Sequence, residues 1–381
     1  VVDLAEVSDE KVKIEEVLNE KNNLINIEKG QLLSVTVFHG KDKDYLSIIV
    51  HHLVIDGVSW RTLLENIECI YDSLKNNKEV VLPKKTMSFK EWSEKINSYA
   101  QKDEVKEEGR NYWNKVVGDD KGADKSSVNY ENKMKKIVKS LSKEETNDLI
   151  YEVNKKYGTE INDILITALG MAIHSWENSD RAVVSLESHG RNHEFKDVDI
   201  TSTVGWFTNN YPIVLESYSD KELDYKIRAV KEMLRNVPNG GFNYSLLKYL
   251  TEDNDIAFKD YTAKYSFNYM GQIPQEAASL FEKSDMPIGN AISDKNVTLF
   301  DIDINAIVEN ECFEVSFRFN TDKYEEAEIS EFGDKYIEAL NTIIGYCLEK
   351  TEKVLSPSDL GYSDFSIDEL DDLLDDLDDI E

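Results

Sequence analysis

The chain has 381 residues, 40% of them apolar and 31% charged, a globular composition with room for two domains of ordinary size. Acids outnumber bases 75 to 44, and the net charge of −31 argues against nucleic acid and anionic membrane surfaces as partners. No apolar run approaches the roughly 20 residues that cross a bilayer, and no secretory leader is visible, so the chain reads as cytoplasmic.

In chain order, residues 31–39 and 45–50 read as strands, the second apolar, β-branched and buried. That strand runs into His51-His52, and Asp56-Gly57 then signals a turn. Residues 58–74 have the spacing of an amphipathic helix. Neighbours on a strand point to opposite faces, so at most one of the two histidines faces a given cavity. Residues 81–83 are extended. Ser88 and Glu91 form a capping box for a helix to about Ala100. A helix over 104–116 carries Tyr112-Trp113, and the polar stretch 118–132 reads as an exposed linker. Beyond it come a strand over 133–141, a helix capped by Ser142 and closed by Gly158, a strongly apolar helix over 161–176 and a strand Arg181–Ser188. Strands and helices alternate again to Lys350, which predicts a mixed α/β fold. In the acidic tail, Ile367, Leu370, Leu373, Leu374, Leu377 and Ile380 recur at helical spacing. That stripe packs on the body or offers itself to a partner. Cys69, Cys312 and Cys347 are too scattered for a disulfide framework or a zinc site, and each reads as a small apolar core residue.

The string His51-His52-Leu53-Val54-Ile55-Asp56-Gly57, extended by Val58-Ser59-Trp60-Arg61, resembles the active-site motif of condensation-type domains of nonribosomal peptide synthetases, and of their epimerization branch in particular. Four further segments match that branch in order. They are Glu187-Ser188-His189-Gly190-Arg191, Thr203-Val204-Gly205-Trp206-Phe207-Thr208, Pro238-Asn239-Gly240-Gly241-Phe242 and Phe267-Asn268-Tyr269-Met270-Gly271-Gln272. Residues 163–169 also fit a family helix. The chain departs from the pattern at Ser188 (usually Gly), Ser202 (usually Arg), and Asn243 and Ser245 (commonly Gly). The family's opening segment, Pro-Ile-Gln-x-Trp-Phe, has no match in residues 1–40, so the first lobe reads as incomplete.

The resemblance implies two chloramphenicol-acetyltransferase-like lobes in a V-shaped pseudo-dimer with a tunnel between them. The lobes would be 1–132 and 133–361, followed by an acidic amphipathic tail helix at 362–381. It implies inversion at Cα of an aminoacyl or peptidyl thioester carried on the phosphopantetheine arm of a carrier domain, without a cofactor of the chain's own. Such inversion needs two proton-transfer groups, one per face, and donors for the enolate oxygen. The resemblance assigns His52 as one group, because a histidine titrates near ~6.5, and Glu187 as the other, made useful if burial raises its pKa. Asp56 is the motif aspartate, expected to pair with an arginine such as Arg61 or Arg191 and counted with Tyr269 in the catalytic set. Asn268 and Tyr269 are candidates to hold the enolate or orient His52. The remaining expected substrate contacts are His51, Gly57, Ser59, Trp60 and Trp206, with His51 reading as structural by strand alternation. Lys248 is a weak candidate for a phosphate contact.

Three other readings fit parts of the same residue set. A condensation domain would use the same histidine but needs neither Glu187 nor Trp60-Arg61. An inactive scaffold would bind carriers without exchanging a proton. A zinc site from Glu187, His189, His193, His51 and His52 is disfavoured by the cation of Arg191 in its midst, so no metal is expected. The partners expected are a carrier domain and, through the tail, a downstream synthetase subunit.

Overall fold

The computed structural model describes residues 1–124, 128–191, 195–252, 258–272, 281–361 and 365–378. Both halves of the fold mix helices and strands, as the alternation predicts. Two compact units interleave along the chain: Val1–Ile96, His189–Thr208 and Glu276–Asn296 make the first, and Asn97–Ser188, Asn209–Gln275 and Val297–Glu381 make the second. The contiguous lobes and tail divided at 132 and 361 are a different cut of the chain and stand as a proposal.

The first unit holds strands β1 (Val2–Asp3), β2 (Leu33–His39) and β3 (Asp44–Val50), with helices α1 (Glu10–Leu24), α2 (Gly57–Lys75) and the start of α3 (Phe89–Ala100). Asp9 opens α1 by accepting the Val12 N–H, and Ser88 and Glu91 cap α3 reciprocally as expected. β2 and β3 pair antiparallel from Leu33↔Val50 to His39↔Asp44, and β1 runs parallel to β2. Alternation then divides the side chains. Phe38, with Tyr45 and Ile49, packs on Leu4, Ile14, Val17 and Leu18. Leu33, Val35, Val37, Leu46, Ile48 and Val50 share the other face, where Leu33 is 61% and Val35 56% exposed. β3 is therefore not the buried strand its composition suggests, and none of its residues is buried. It is the last strand of a three-stranded sheet, and this small core covers one side of it.

In the second unit, β5 (Met134–Ser140), β6 (Arg181–Ser188), β7 (Asn209–Glu216), β8 (Tyr265–Gln272), β10 (Ile302–Glu309) and β11 (Cys312–Asn320) form one sheet in the order β5-β11-β10-β8-β6-β7, and β4 (Asn129–Tyr130) pairs with β9 (Val297–Thr298). The β6–β8 and β8–β10 pairs are parallel and the rest antiparallel. The helices are α4 (Asp103–Val117), α5 (Lys143–Asp148), α6 (Asn154–Tyr157), α7 (Ile161–Glu177), α8 (Leu223–Arg235), α9 (Phe242–Leu250), α10 (Glu326–Glu349) and α11 (Ile367–Asp378). α7 is buried along nearly its whole length, the fate of a helix apolar all round, and Trp176 at its end stacks on Phe332 of α10 at 4.8 Å. The helix expected from Ser142 to Gly158 is present, interrupted by a π-helical turn at Leu149–Val153.

Three expectations change here. The 118–132 stretch, in its described part, is tied down rather than a free linker. Tyr261 donates its hydroxyl to Asp120, the Ala123 N–H meets the Thr262 carbonyl, and buried Asn129 donates to the Phe300 carbonyl. Its polar side chains satisfy backbone groups instead of water. Among the cysteines only Cys347 is buried, while Cys69 and Cys312 are half-buried. The tail helix α11 seats Ile367 and Leu370 in the body, and Arg228 of α8 grips Asp371 through both terminal nitrogens (2.6 and 2.9 Å). Leu373 and Leu374 stay exposed, and the Leu377 side chain and Ile380 lie outside the described residues. No described helix is long and apolar enough to cross a membrane.

Candidate active site

The first unit builds a corner around His52. The ladder continues one step past β3, since the His51 N–H reaches the Leu32 carbonyl at 2.9 Å. The His51 ring then turns back on its own loop, its Nδ1 accepting the Leu53 N–H at 3.1 Å. That lone pair is used locally, as a cap. His52 opens a single 3₁₀ turn, His52–Val54, with its side chain exposed. Its ring meets the edge of Trp206, centroids 5.8 Å apart at 70°.

Asp56-Gly57 is a helix start rather than a free turn. Asp56 is the N-cap of α2, and its Oδ1 accepts the Ser59 N–H at 2.8 Å. Of the two arginines considered, Arg191 is its partner: NH1 lies 2.6 Å from Oδ2 and NH2 3.1 Å from Oδ1. Phe207 N–H adds a bond to Oδ2 at 3.1 Å. The two side chains are 3% and 6% exposed, so this is a buried, bidentate ion pair. Burial pushes the Asp56 carboxyl up, but the bonds from Arg191, Ser59 and Phe207 outweigh it and hold it below the usual range. Burial and then the Arg191 charge push His189 below the ordinary histidine value. Both Asp56 carboxylate oxygens are thus engaged by Ser59, Arg191 and Phe207.

Ser59, expected to contact substrate, is fully buried. Its hydroxyl donates to the Gly205 carbonyl (3.0 Å) and accepts from Gly205 N–H and Arg191 NH2 (both 3.1 Å). Gly57 is exposed at the first position of α2, and a Cβ there would meet nothing within 4 Å. Trp60 is half-buried on the same turn, and Trp206 is 43% exposed. Gly190 is required by geometry: φ is +65° and a Cβ would fall 1.6 Å from the Phe207 carbonyl oxygen.

The second unit builds a strand end around Glu187. β6 and β8 run parallel with Leu186 opposite Phe267, so the next residues, Glu187 and Asn268, stand side by side. Asn268 Nδ2 donates to Glu187 Oε1 at 2.9 Å, and Asn210 is the register partner of Glu187 on β7. Glu187 is exposed rather than buried. Tyr269 follows Asn268 and alternation places it on the opposite face of the sheet, level with Ala306. Burial pushes its hydroxyl up to about 12. Asn243, one of the departures from pattern, is buried and accepts the Trp113 indole N–H at 3.0 Å. Lys248 donates to the Tyr261 carbonyl rather than standing ready for a phosphate. Among the described residues no group of three or more His, Cys, Asp or Glu could hold a metal ion, and His193 lies outside them.

The sequence offered Arg191 as one of two partners for Asp56 and missed that it also holds Ser59 and the Thr203 carbonyl (3.0 Å). The signal was present in the two motifs, an acid in one and a base in the other. A family model described as Condensation domain matches residues 1–365. The chain belongs to the Condensation domain family. Gramicidin S synthase 1 of Brevibacillus brevis is 37% identical over 369 residues, 93% of this chain and 34% of that protein. Surfactin synthase subunit 1 of Bacillus subtilis (strain 168) is 36% identical over 97% of this chain, which spans 10% of it. The crystal structure of the epimerization domain from the third module of tyrocidine synthetase B superimposes with a TM-score of 0.83 at 33% identity, over 92% of this chain and 80% of that one. VibH, a condensation enzyme, matches at TM-score 0.67 and 12% identity over 91% and 79%, a likeness of fold alone. The mixed α/β architecture is thus the chloramphenicol-acetyltransferase-like one expected for condensation-family chains of nonribosomal peptide synthetases.

Proposed function

We propose that this condensation-family chain is an epimerization domain. It interconverts the L and D configurations at the Cα of an aminoacyl or peptidyl group held as a thioester on the phosphopantetheine arm of a carrier domain. The observation that carries this reading is Glu187 at the end of β6, with Asn268 donating to its carboxylate, in a chain 33% identical to a solved epimerization domain. Bond formation has no use for a second carboxylate there.

The thioester supplies the chemistry that a cofactor would otherwise supply. Its carbonyl accepts the electron pair left when the Cα–H bond breaks, so the carbanion is an enolate. One of His52 and Glu187 takes the proton, and the other returns a proton to the opposite face. His52 suits this role because it is exposed on a turn whose neighbours are fixed. Asp56, Arg191 and Ser59 are positioning residues, and Tyr269 stands on the face of β8 opposite Asn268. The two epimers have similar free energy, so the product is a mixture.

Chiral analysis after hydrolysis tests the reading. A carrier loaded with the L-aminoacyl thioester and mixed with the chain yields D-amino acid if the reading holds. A condensation domain instead leaves the configuration intact and forms a dipeptide when a second loaded carrier is added.

A further inference from the structure

Trp206 lies between two backbone groups that the His52 element itself holds. Before it, Gly205 gives its N–H to Ser59 Oγ and its carbonyl accepts the Ser59 hydroxyl. After it, the Phe207 N–H is taken by Asp56 Oδ2. Both grips come from the first turn of α2, directly downstream of His52. The same segment is fastened further back, where the Thr203 carbonyl accepts from Arg191 and the Thr203 hydroxyl reaches the Met87 carbonyl at 2.7 Å. Packing leaves it little room. The Phe207 ring lies 4.2 Å from the Arg191 guanidinium carbon and edge-on to Phe89 at 5.1 Å. A Cβ at Gly205 would fall 2.3 Å from Phe89 Cδ2.

The Trp206 backbone is therefore fixed relative to the His52 turn, while the residue is 43% exposed. What the indole meets is the imidazole of His52, in an edge arrangement that aromatic rings prefer. His52 is itself exposed on a three-residue turn, and among the described residues its ring makes no hydrogen bond that would fix its rotamer. We propose that Trp206 is a positioning residue for His52, a rigid stop that holds the imidazole in one orientation through their edge contact. The catalytic consequence rests on the epimerase reading; the orientation of the ring does not.

The test uses the 381-residue chain with ¹³C-labelled histidine and the variants Trp206→Ala and Trp206→Phe. His52 resonances are assigned by their loss in His52→Ala. In Trp206→Ala we expect the ring-current displacement of the His52 Cε1–H signal to vanish and the ring to relax as a mobile side chain. Loss of orientation should lower kcat for Cα exchange about 10-fold, with KM within about 2-fold. Trp206→Phe keeps an aromatic edge and should retain most of both the displacement and kcat. It also decides the matter if the Ala variant fails a hydrogen-exchange check on the Leu4–Phe38 core. An unchanged His52 signal in Trp206→Ala, or a KM effect alone, would overturn the proposal and make Trp206 a wall residue. Should the wild-type chain exchange no Cα proton, the epimerase reading fails while the signal still decides whether Trp206 orients His52.

Discussion

His52 and Glu187 are held in place by different physics. His52 stands on a short turn whose geometry is set by a buried ion pair and a shared hydroxyl. Glu187 stands on a strand whose geometry is set by ladder register across β7, β6 and β8. The surroundings differ in kind as well. α2 buries only Ser59 and β3 buries nothing, whereas α7 buries ten residues and the β11 phenylalanines are fully enclosed. The unit with little apolar burial leans on charge, and that makes its corner the more fragile of the two. A ladder loses one bond at a time; a buried pair loses its balance all at once.

Arg191→Ala is the sharpest way to break the comparison. It strands the Asp56 carboxylate 3% exposed without a counter-charge, which costs about 3–5 kcal/mol. Urea unfolding with hydrogen exchange should show the loss at the first turn of α2 and not at β6. A change under about 0.5 kcal/mol would mean the pair is not what fixes the corner. Ser59→Ala comes next. It leaves the buried Gly205 N–H and carbonyl short of a partner, at about 1–3 kcal/mol, and Ser59→Thr should recover little because the site has no space.

Acid gives a graded version of the same contrast. His189 in the first unit and His174 in the second both titrate below the ordinary value, so the unfolded chain binds protons first and both contributions fade as pH drops through about 6.5. Below about 4 the units part. Asp56 is held low, so its contribution is present above that range and lost as pH falls through its folded value. Asp163 is held high by burial despite Arg235, so the folded form binds its proton first and acid relieves its penalty. Exchange measured against pH should show the α2 corner opening before α7.

The smallest expected effect on stability is at the strand end. Asn268→Ala removes one exposed bond to Glu187 and should change unfolding by no more than about 0.5 kcal/mol. It should still lower Cα exchange by about 10-fold, because the carboxylate loses its orientation. If stability falls and exchange does not, Asn268 belongs to the fold and not to the reaction.

Much of this was legible in the chain because the signals are local. The capping boxes at Ser88 and Ser142, the Gly158 stop and the limits of β6 follow from residues a few positions apart. That Asp56 pairs with an arginine followed from the resemblance, which left Arg61 and Arg191 both open; the structure chooses Arg191. The failures are non-local. Nothing near β3 says that only one of its faces is covered. Nothing near Ser59 says that Gly205 will close over its hydroxyl. Asn268 and Glu187 meet through a parallel register that no spacing encodes, and the same register sends Tyr269 to the far face. Lys231 on α8 is buried against Asp359 and the Tyr157 carbonyl, a cation that periodicity alone would have put in water.

His52 and Glu187 are proposed as the two proton-transfer groups of one reaction. Solvent deuterium uptake at Cα tests it most directly, with L- and D-aminoacyl carriers run separately against the wild-type chain, His52→Ala and Glu187→Gln. Wild type should label Cα and invert it from either starting configuration. Both variants should lose inversion by about 10²-fold or more with their fold intact. Inversion that survives either substitution, or a folded wild type that never labels Cα, would contradict it.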